Sequence, residues 1–283
     1  MREEPFVDTS IAGSLPLLRS AVIPAGFRHG FSTRGGGVSA DAFATLNLGM
    51  KWGDAPENVV ENRRRLRRAA GSEVMFTATQ VHGTAVACVR SGDDPTAIAQ
   101  QTADSLCTDA AGTVVSVYVA DCIPLLMADV RTGAVAAVHA GWRGTVAGVV
   151  PATLRRMAYE FGTQPADLRV ALGPAIGVCC FEVGEEVVHA VVAAIPGAAA
   201  AGAIQREGPK PHVDLKRLNV LLLERAGVPA AAIDAGPECT SCDRARFFSY
   251  RRDAGHTGQM VGFIARDADV DVDVPLLEGA RGG

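Results

Sequence analysis

Two apolar, β-branched segments, Val114–Ala120 and Ala134–His139, constrain the fold of this chain most strongly. Segments of this length and composition are typical of strands that are buried on both faces. Polar residues follow each segment closely, with Asp121 and Cys122 after the first and Arg143 after the second. A buried sheet does not need such groups. The sequence therefore predicts two core strands that deliver reactive side chains to turns.

Outside these segments, strand-like and helix-like stretches alternate. The pattern predicts strands at Gly26–Ser32, Thr77–Val81, Ala85–Val89, Leu168–Leu172 and Gln259–Arg266, and helices at Pro56–Ala70, Glu185–Ala194 and Asp214–Ala226. We expect Thr77–Val81 and Ala85–Val89 to pair around His82, and Thr145 to cap a further helix. The fold class predicted from this alternation is α/β or α+β.

A chain of 283 residues with 48% hydrophobic content can fill one large core. We expect an N-terminal extension over residues 1–25, a single catalytic domain over 26–267 and a disordered tail over 268–283. The tail is expected to fray, as the ends of chains commonly do.

Charge and composition exclude several classes of partner. The 27 Lys and Arg nearly balance the 31 Asp and Glu, so no net field favours nucleic acid or an anionic membrane. The N-terminus lacks the features of a secretory signal, and apolar runs are interrupted before they reach membrane-spanning length. We therefore expect a soluble, cytoplasmic protein. Its seven cysteines are an odd number spread thinly, which favours reduced thiols over a disulfide framework.

Three residues of metal-ligand type lie at strand ends or turns: His82, Cys122 and His139. Two imidazoles and one thiolate suit zinc, and three protein ligands leave a fourth position open, as in catalytic sites. Their spacing is too wide for a local motif, so only the fold can bring them together. Taken singly, each has a simpler explanation, because a cysteine after an apolar strand is usually an inert buried thiol.

An anion site is predicted beside His139. A helix start that carries Arg143 would offer a guanidinium and free amides to a negative charge, although a surface salt bridge is the simpler role for Arg143. Two other arginines are ambiguous. Arg34 adjoins a glycine-rich turn, and Arg63 belongs to an arginine-rich stretch that would usually be a solvated helix face.

Cys239 and Cys242 have the two-residue gap of a zinc ribbon or a redox pair. No second pair with this gap occurs, and the adjacent Cys179 and Cys180 are not expected to substitute for one. A structural role is therefore favoured for Cys239 and Cys242.

Several motifs occur in the order typical of one family. They are GFSTRGGGVS, LNLG, GDAPENVVENRRRL, TQVHGTAV, ADCIPLL, AVHAGWRGT, LGPAIGVCCFEVGEEV and CTSCDRARFFSYRRDAGHTGQM. From about Gly26 to Ile264 the chain resembles the YfiH-like family, also called the laccase-domain or polyphenol oxidase family. The resemblance implies an α+β mixed-sheet sandwich related to cysteine-hydrolase-like toxins. It also implies a zinc site at His82, Cys122 and His139.

The resemblance further implies a purine nucleoside phosphorylase that acts on adenosine, inosine and S-methyl-5'-thioadenosine, with adenosine deaminase activity. Zn²⁺ would be the cofactor, and purine nucleosides and inorganic phosphate the substrates. His82, Cys122 and His139 are the candidate catalytic residues. The candidates for binding substrate and phosphate are Arg34, Asn47, Arg63 and Arg143.

Alternatives remain open at this stage. A metal-free cysteine hydrolase could use Cys122 as nucleophile and either histidine as base. A quality-control factor for peptidoglycan precursors is a non-enzymatic alternative. A copper oxidase is disfavoured, because six histidines in the whole chain cannot supply several copper ions. The oligomeric state, monomer or dimer, is left open.

Overall fold

A computed structural model describes residues 6–8 and 15–268 of the chain. Its α-helices are α1 (Pro56–Ala69), α2 (Pro95–Gln100), α3 (Trp142–Ala147), α4 (Val149–Phe161), α5 (Glu185–Ala194) and α6 (Leu215–Arg225). Its strands are β1 (Phe6–Asp8), β2 (Leu17–Ser20), β3 (Phe27–Ser32), β4 (Met75–Phe76), β5 (Val86–Cys88), β6 (Ser105–Thr108), β7 (Val114–Val119), β8 (Ile123–Asp129), β9 (Val135–Ala140), β10 (Leu168–Leu172), β11 (Ile204–Gln205), β12 (His212–Val213), β13 (Ile233–Ala235) and β14 (Met260–Arg266).

Two six-stranded mixed sheets form the centre of the fold. The first has the order β1-β2-β3-β14-β7-β4, and the second has the order β13-β10-β8-β9-β6-β5. Within the first sheet only β4 and β7 pair in parallel. Within the second sheet the two edge pairs, β10 with β13 and β5 with β6, are parallel, and the central pairs are antiparallel. Strands β11 and β12 form a separate ribbon.

The apolar runs in the sequence are explained by burial on both faces. All residues of β8 and β9 are buried. One face of this second sheet packs against the first through a shared cluster that includes Val117, Leu126 and Ala137. Its other face packs against α4, α5 and α6, while Leu66 of α1 joins the cluster on the outer face of the first sheet. The predicted mixed-sheet sandwich is therefore confirmed.

Several predicted elements are confirmed to within a residue or two, including β10 at Leu168–Leu172 and α5 at Glu185–Ala194. The predicted N-terminal extension contributes β1 and β2 to the first sheet. The boundary at residue 26 stays a prediction, and the predicted tail lies, apart from Ala268, outside the described residues. Among those residues, no helix is both long and apolar enough to cross a bilayer.

Two local predictions are wrong. β5 pairs with β6 and not with Thr77–Val81, and within Thr77–Val81 the structure has only an isolated bridge, from Thr79 to Thr102. The Thr79 amide donates to the Gln101 carbonyl and the Val81 amide to the Asp104 carboxylate, so neither is available to β5. Thr145 does not cap a helix. It lies buried within α3, and its hydroxyl accepts a hydrogen bond from the amide of Asn219.

Candidate metal centre

His82, Cys122 and His139 meet at one point of the structure. Each offers a ligand atom, and these atoms all lie within 4.8 Å of one another. The distance from Cys122 Sγ to His82 Nε2 is 3.7 Å, and the two imidazole rings stand edge to face with centroids 4.8 Å apart. The fold thus joins three residues that are distant in the sequence, and we call this group the metal centre.

Two of the ligands lie at the ends of core strands and His82 lies in the loop between β4 and β5, and strained backbone occurs at two of these turns. Cys122 lies between β7 and β8, and His139 lies near the end of β9. His82 has φ 62° and Asp121 has φ 84°, in the left-handed region that non-glycine residues rarely adopt. Such strain persists only where surrounding contacts fix the backbone, and it is common at functional sites.

The Asp121 carboxylate provides that fixation beside Cys122. It accepts hydrogen bonds from Thr240 Oγ1 at 2.5 Å, from Ser249 Oγ at 3.0 Å and from the Arg251 amide at 2.6 Å. Asp121 therefore points away from the ligand atoms and ties the Cys122 turn to a distant loop. Asp121 therefore fixes the backbone beside Cys122 and does not orient a ligand side chain.

Asp104 is the residue that orients the metal centre, and it was missed in the sequence. Its fully buried side chain accepts from His139 Nδ1 at 2.8 Å and from the amides of His82 at 2.8 Å and Gly83 at 2.7 Å. Because Nδ1 is engaged, His139 presents Nε2 to the other ligands. Burial raises the pKa of Asp104, but these hydrogen bonds outweigh it and hold the pKa below the usual value.

The electrostatics favour an ionised sulfur. Burial by itself raises the pKa of the Cys122 thiol, but the charge of His139 and hydrogen bonds from both imidazoles lower it to about 6. Burial lowers the pKa of His139, whereas the Cys122 thiolate and Asp104 raise it to about 9. A thiolate is the form of cysteine that binds metals, and a cation would displace the imidazolium proton.

The chain makes room for the three ligands at Gly141. A Cβ atom there would lie 2.8 Å from both Cys122 Sγ and His82 Cδ2, closer than real contacts allow. The donor set of two imidazoles and one thiolate, with one imidazole oriented by a buried carboxylate, fits a divalent metal ion.

A cavity of about 480 Å³ opens over the metal centre. Small-molecule sites in proteins fall in this size range. Its aromatic lining includes Trp52 and Tyr250, whose ring centroids are 5.7 Å apart. Three cationic side chains, those of Lys51, Arg143 and Arg251, also line it. The cavity therefore combines aromatic surfaces, positive charge and a metal-binding group.

Of the four predicted substrate-binding residues, only Arg143 lines this cavity. Its guanidinium lies 4.5 Å from the centre of the Trp142 ring, and the described residues offer it no salt bridge. Fewer free amides than predicted are available to an anion at this helix start, because the Thr145 amide already donates to the Gly141 carbonyl.

The other three lie elsewhere and bind the protein itself. Arg34 donates to the carbonyls of Ala44 and Arg244. The buried amide of Asn47 donates to the Gly49 carbonyl and to Asp54. Arg63 donates to the Leu48 carbonyl and lies over the Tyr118 ring, in a second cavity of about 360 Å³. Through these hydrogen bonds the three residues stabilise the loops around the site.

A second group of ligand atoms corrects an expectation from the sequence. Cys179 and Cys180 do join Cys239 and Cys242, and the four sulfur atoms all lie within 4.8 Å of one another. The adjacent pair lies in the loop after β10, and the other pair lies in the loop after β13. We call this group the cysteine cluster. The spacing of Cys239 and Cys242 was the signal for it, but their partners could be found only in the fold.

Comparison with known proteins agrees with this geometry. A family profile described as multi-copper polyphenol oxidoreductase laccase matches residues 28–267. Purine nucleoside phosphorylase YlmD of Geobacillus stearothermophilus is 38% identical over 249 residues, which cover 86% of this chain and 91% of that protein. A purine nucleoside phosphorylase of Deinococcus radiodurans is 40% identical over 275 residues, covering 96% of this chain and 98% of that protein.

The similarity extends to the fold. The crystal structure of YlmD from Geobacillus stearothermophilus superposes with a TM-score of 0.85 at 36% identity, covering 94% of this chain and 100% of that chain. The crystal structure of a Bacillus licheniformis hypothetical protein YfiH superposes with a TM-score of 0.84 at 32% identity, covering 93% of this chain and 99% of that one. The resemblance seen in the motifs is therefore confirmed, and the chain belongs to the laccase-like, YfiH-type family that the matching profile describes.

Proposed function

We propose that this protein catalyses the phosphorolysis of purine nucleosides in the cavity over the metal centre, with zinc as its cofactor. The convergence of His82, Cys122 and His139 at the cavity wall carries the proposal. The names of similar proteins support it, because relatives that span most of this chain are called purine nucleoside phosphorylases. Adenosine, inosine and S-methyl-5'-thioadenosine are the proposed substrates, and adenosine deamination is a proposed second reaction.

The ligand set favours zinc over several copper ions. One thiolate and two imidazoles leave a coordination position free, which is the arrangement of catalytic zinc sites. Among the described residues only two groups of ligand atoms converge, and only the metal centre contains histidine. Zinc held there would supply Lewis acid catalysis. His139 would be kept in the ligating tautomer by Asp104, and Cys122 would be kept ionised by both imidazoles.

The aromatic side of the cavity is suited to a purine base. Trp52 and Tyr250 offer large ring surfaces at its mouth, and Tyr250 is about half exposed. Stacking of a base on an aromatic ring contributes about 1–3 kcal/mol and tolerates different purines. This tolerance agrees with a broad range of nucleoside substrates.

Arg143 is our candidate for binding phosphate. Its guanidinium is exposed at the cavity and can form paired hydrogen bonds to two phosphate oxygens. Held there, a phosphate oxygen would attack the anomeric carbon of the ribose while the bond from that carbon to the base nitrogen breaks. The base leaves with the electron pair of that bond and takes up a proton. The sugar becomes its 1-phosphate, which is ribose 1-phosphate when the substrate is adenosine or inosine. Correct placement of the two reactants is itself a large part of such catalysis.

The test is to incubate the zinc-loaded protein with each nucleoside, with and without inorganic phosphate, and to separate the products by chromatography. We expect free base and the matching sugar 1-phosphate only when phosphate is present: ribose 1-phosphate from adenosine and inosine, and 5-methylthioribose 1-phosphate from S-methyl-5'-thioadenosine. Adenosine would also yield inosine without phosphate. Cys122→Ala should abolish both reactions, and Cys88→Ala, which alters a cysteine away from the cavity, should retain them. A metal-loaded wild-type protein that releases no base from any of the three would refute the proposal.

A cysteine hydrolase is the second candidate, because one observation favours it. Cys122 with a pKa of about 6, His139 and Asp104 stand in the order nucleophile, base and orienting carboxylate. A hydrolase would contain no stoichiometric zinc and would be alkylated at Cys122 by iodoacetamide at the same rate with and without chelator. The phosphorylase proposal predicts bound zinc that protects Cys122 from alkylation until a chelator removes it.

A further inference from the structure

The cysteine cluster is separate from the metal centre and takes no part in the proposed reaction. Cys179 Sγ lies 3.5 Å from Cys242 Sγ, and Cys180 Sγ lies 3.4 Å from the same atom. None of the chain's seven cysteines is in a disulfide. Four thiols from two different loops therefore share one small volume without a covalent bond between them.

The spacing of the sulfur atoms matches that of a tetrahedral metal site. Zinc binds thiolates at about 2.3 Å, so the sulfur atoms of a regular four-thiolate site lie about 3.8 Å apart. In the cysteine cluster two of these distances are 3.4 and 3.5 Å, and none exceeds 4.8 Å, so the sulfur atoms are spaced as such a site requires. A disulfide needs its two sulfur atoms at about 2.0 Å and would join only one pair. We propose that the cysteine cluster binds a second zinc ion through Cys179, Cys180, Cys239 and Cys242.

Backbone groups are arranged for a metal-bound thiolate. The Gly177 amide donates to Cys239 Sγ at 3.2 Å, and the Cys242 amide also donates to the Cys239 sulfur. Such N–H···S contacts stabilise a thiolate that already binds a metal. Four thiolates around one Zn²⁺ carry a net negative charge, and the cationic groups of Lys216 and Arg251 bond to carbonyls at or next to the ligand residues.

The second zinc ion would fasten the wall of the cavity. Ile176 and Phe181, on either side of Cys179 and Cys180, both line the cavity. Thr240, between the other two cysteines, donates to the Asp121 carboxylate that fixes the Cys122 turn. A metal ion in the cysteine cluster would thus join two loops that shape the substrate site, without contacting substrate. A closed four-thiolate site is the arrangement of structural zinc, which contributes directly to folding stability.

Metal counting tests the proposal without reference to activity. We would purify the full chain under reducing conditions and measure zinc by plasma mass spectrometry and native mass spectrometry. We expect about two zinc ions per wild-type chain, one in each site. Cys122→Ala should retain about one, and the double variant C239A/C242A should also retain about one. The matched control Cys88→Ala should keep both ions.

Cobalt substitution identifies the ligands. Thiolate-to-Co²⁺ charge-transfer absorption grows with the number of thiolates, and the cysteine cluster would supply four of the five in the protein. We therefore expect Cys122→Ala to keep about four fifths of this absorption and C239A/C242A to lose that share. This readout covers the case in which C239A/C242A folds poorly, because Cys122→Ala leaves the cysteine cluster intact.

Two results would overturn the proposal. The first is a Cys122→Ala protein, purified under reducing conditions and supplied with zinc, that holds no zinc. The second is a disulfide within the cysteine cluster of the freshly purified protein, identified by mapping alkylated peptides. Neither result would bear on phosphorolysis at the metal centre.

Discussion

The metal centre and the cysteine cluster use similar ligand atoms in different surroundings. At the metal centre, His139 is 4% exposed and Asp104 is fully buried. Cys122 and His139 sit at the ends of core strands, whereas His82 lies in an exposed loop. In the cysteine cluster, Cys179 and Cys242 are exposed and all four residues lie in loops. Core strands thus hold two of the three ligands of the first site, and we expect the loops of the second to gain stability from a bound ion.

The number of ligands separates the two sites in the same way. Three ligands facing a cavity would leave a bound ion a position where a reactant can approach, but four thiols would enclose an ion. In the metal centre the Asp104 carboxylate orients a ligand, whereas in the cysteine cluster a backbone amide donates a hydrogen bond to a ligand sulfur. The comparison teaches that ligand identity alone does not distinguish an open site from a closed one, since the number of ligands and the elements that support them also differ.

The strongest test of this contrast removes the sulfur of the metal centre. Cys122→Ala should lower kcat/KM for inosine phosphorolysis by at least about a hundredfold, because a direct ligand matters more than the residues behind it. Removal of zinc by a chelator should have a similar effect, and added zinc should restore activity only in the wild type. The contrast breaks down if Cys122→Ala stays active.

The next effect concerns the buried carboxylate. Asp104→Asn keeps the size of the side chain but removes the charge that orients His139, so zinc affinity at the metal centre and kcat/KM should fall by about 10- to 100-fold. Competition with a chromogenic chelator measures the affinity. Asp129→Asn is the matched control, because Asp129 is also buried and accepts backbone amides, but far from the site along β8. Equal losses in both variants would assign Asp104 a merely structural role.

A smaller effect is expected at the mouth of the cavity. Trp52→Ala should raise KM for nucleosides about tenfold and change kcat little, because the loss of one stacking partner weakens binding of the base. Trp52→Phe should keep most of the affinity. A change in kcat without a change in KM would contradict the placement of the base against Trp52.

Variants of the cysteine cluster should affect stability more than activity. Cys179→Ser should lower Tm by about 5 °C, as a loss of 1–2 kcal/mol would in a chain of this size, and reduce activity at room temperature by less than about threefold. Scanning calorimetry and a nucleoside assay measure the two quantities. A large loss of activity with unchanged Tm would reverse the roles assigned to the two sites.

The smallest expected effect is that of His29 on the free energy of unfolding at low pH. His29 lies away from the metal centre, so its effect reports on the stability of the fold and not on metal binding. Burial lowers the pKa of His29 from 6.5, and its ring accepts a hydrogen bond from the Ser20 amide at 3.0 Å. The unfolded chain therefore binds more protons as the pH falls below about 6.5, so the contribution of His29 to stability is complete above that pH and is lost toward its folded pKa.

Unfolding by urea at several pH values checks this expectation in the metal-free protein. His29→Gln should flatten the fall in the free energy of unfolding below pH 6.5, and His189→Gln, an exposed control on α5, should leave it unchanged. Activity at neutral pH should be the same in both. An unaltered pH profile in His29→Gln would assign the acid sensitivity to other groups.

Short-range patterns were enough to predict much of the fold. β10 and α5 could be read from the sequence because their apolar residues repeat with the period of the element that buries them. The ligands of the metal centre could be named because two imidazoles and one thiolate at strand ends or turns together suit a metal ion, although each residue taken singly has a simpler explanation. Asp104 could not be named, although an aspartate just before β6 was a faint signal, because its partners come from β9 and from the turn at His82.

Patterns in the amino-acid sequence were enough to identify the class of fold, the three candidate ligands of the metal centre and the family to which the chain is similar. The contacts of the folded chain were needed to find that Asp104 orients His139, that Arg143 faces the cavity while Arg34, Asn47 and Arg63 do not, and that four cysteines from two loops meet. The reason is physical. Periodicity and ligand chemistry are properties of single residues and their neighbours, whereas these contacts depend on which strands lie side by side in the two sheets.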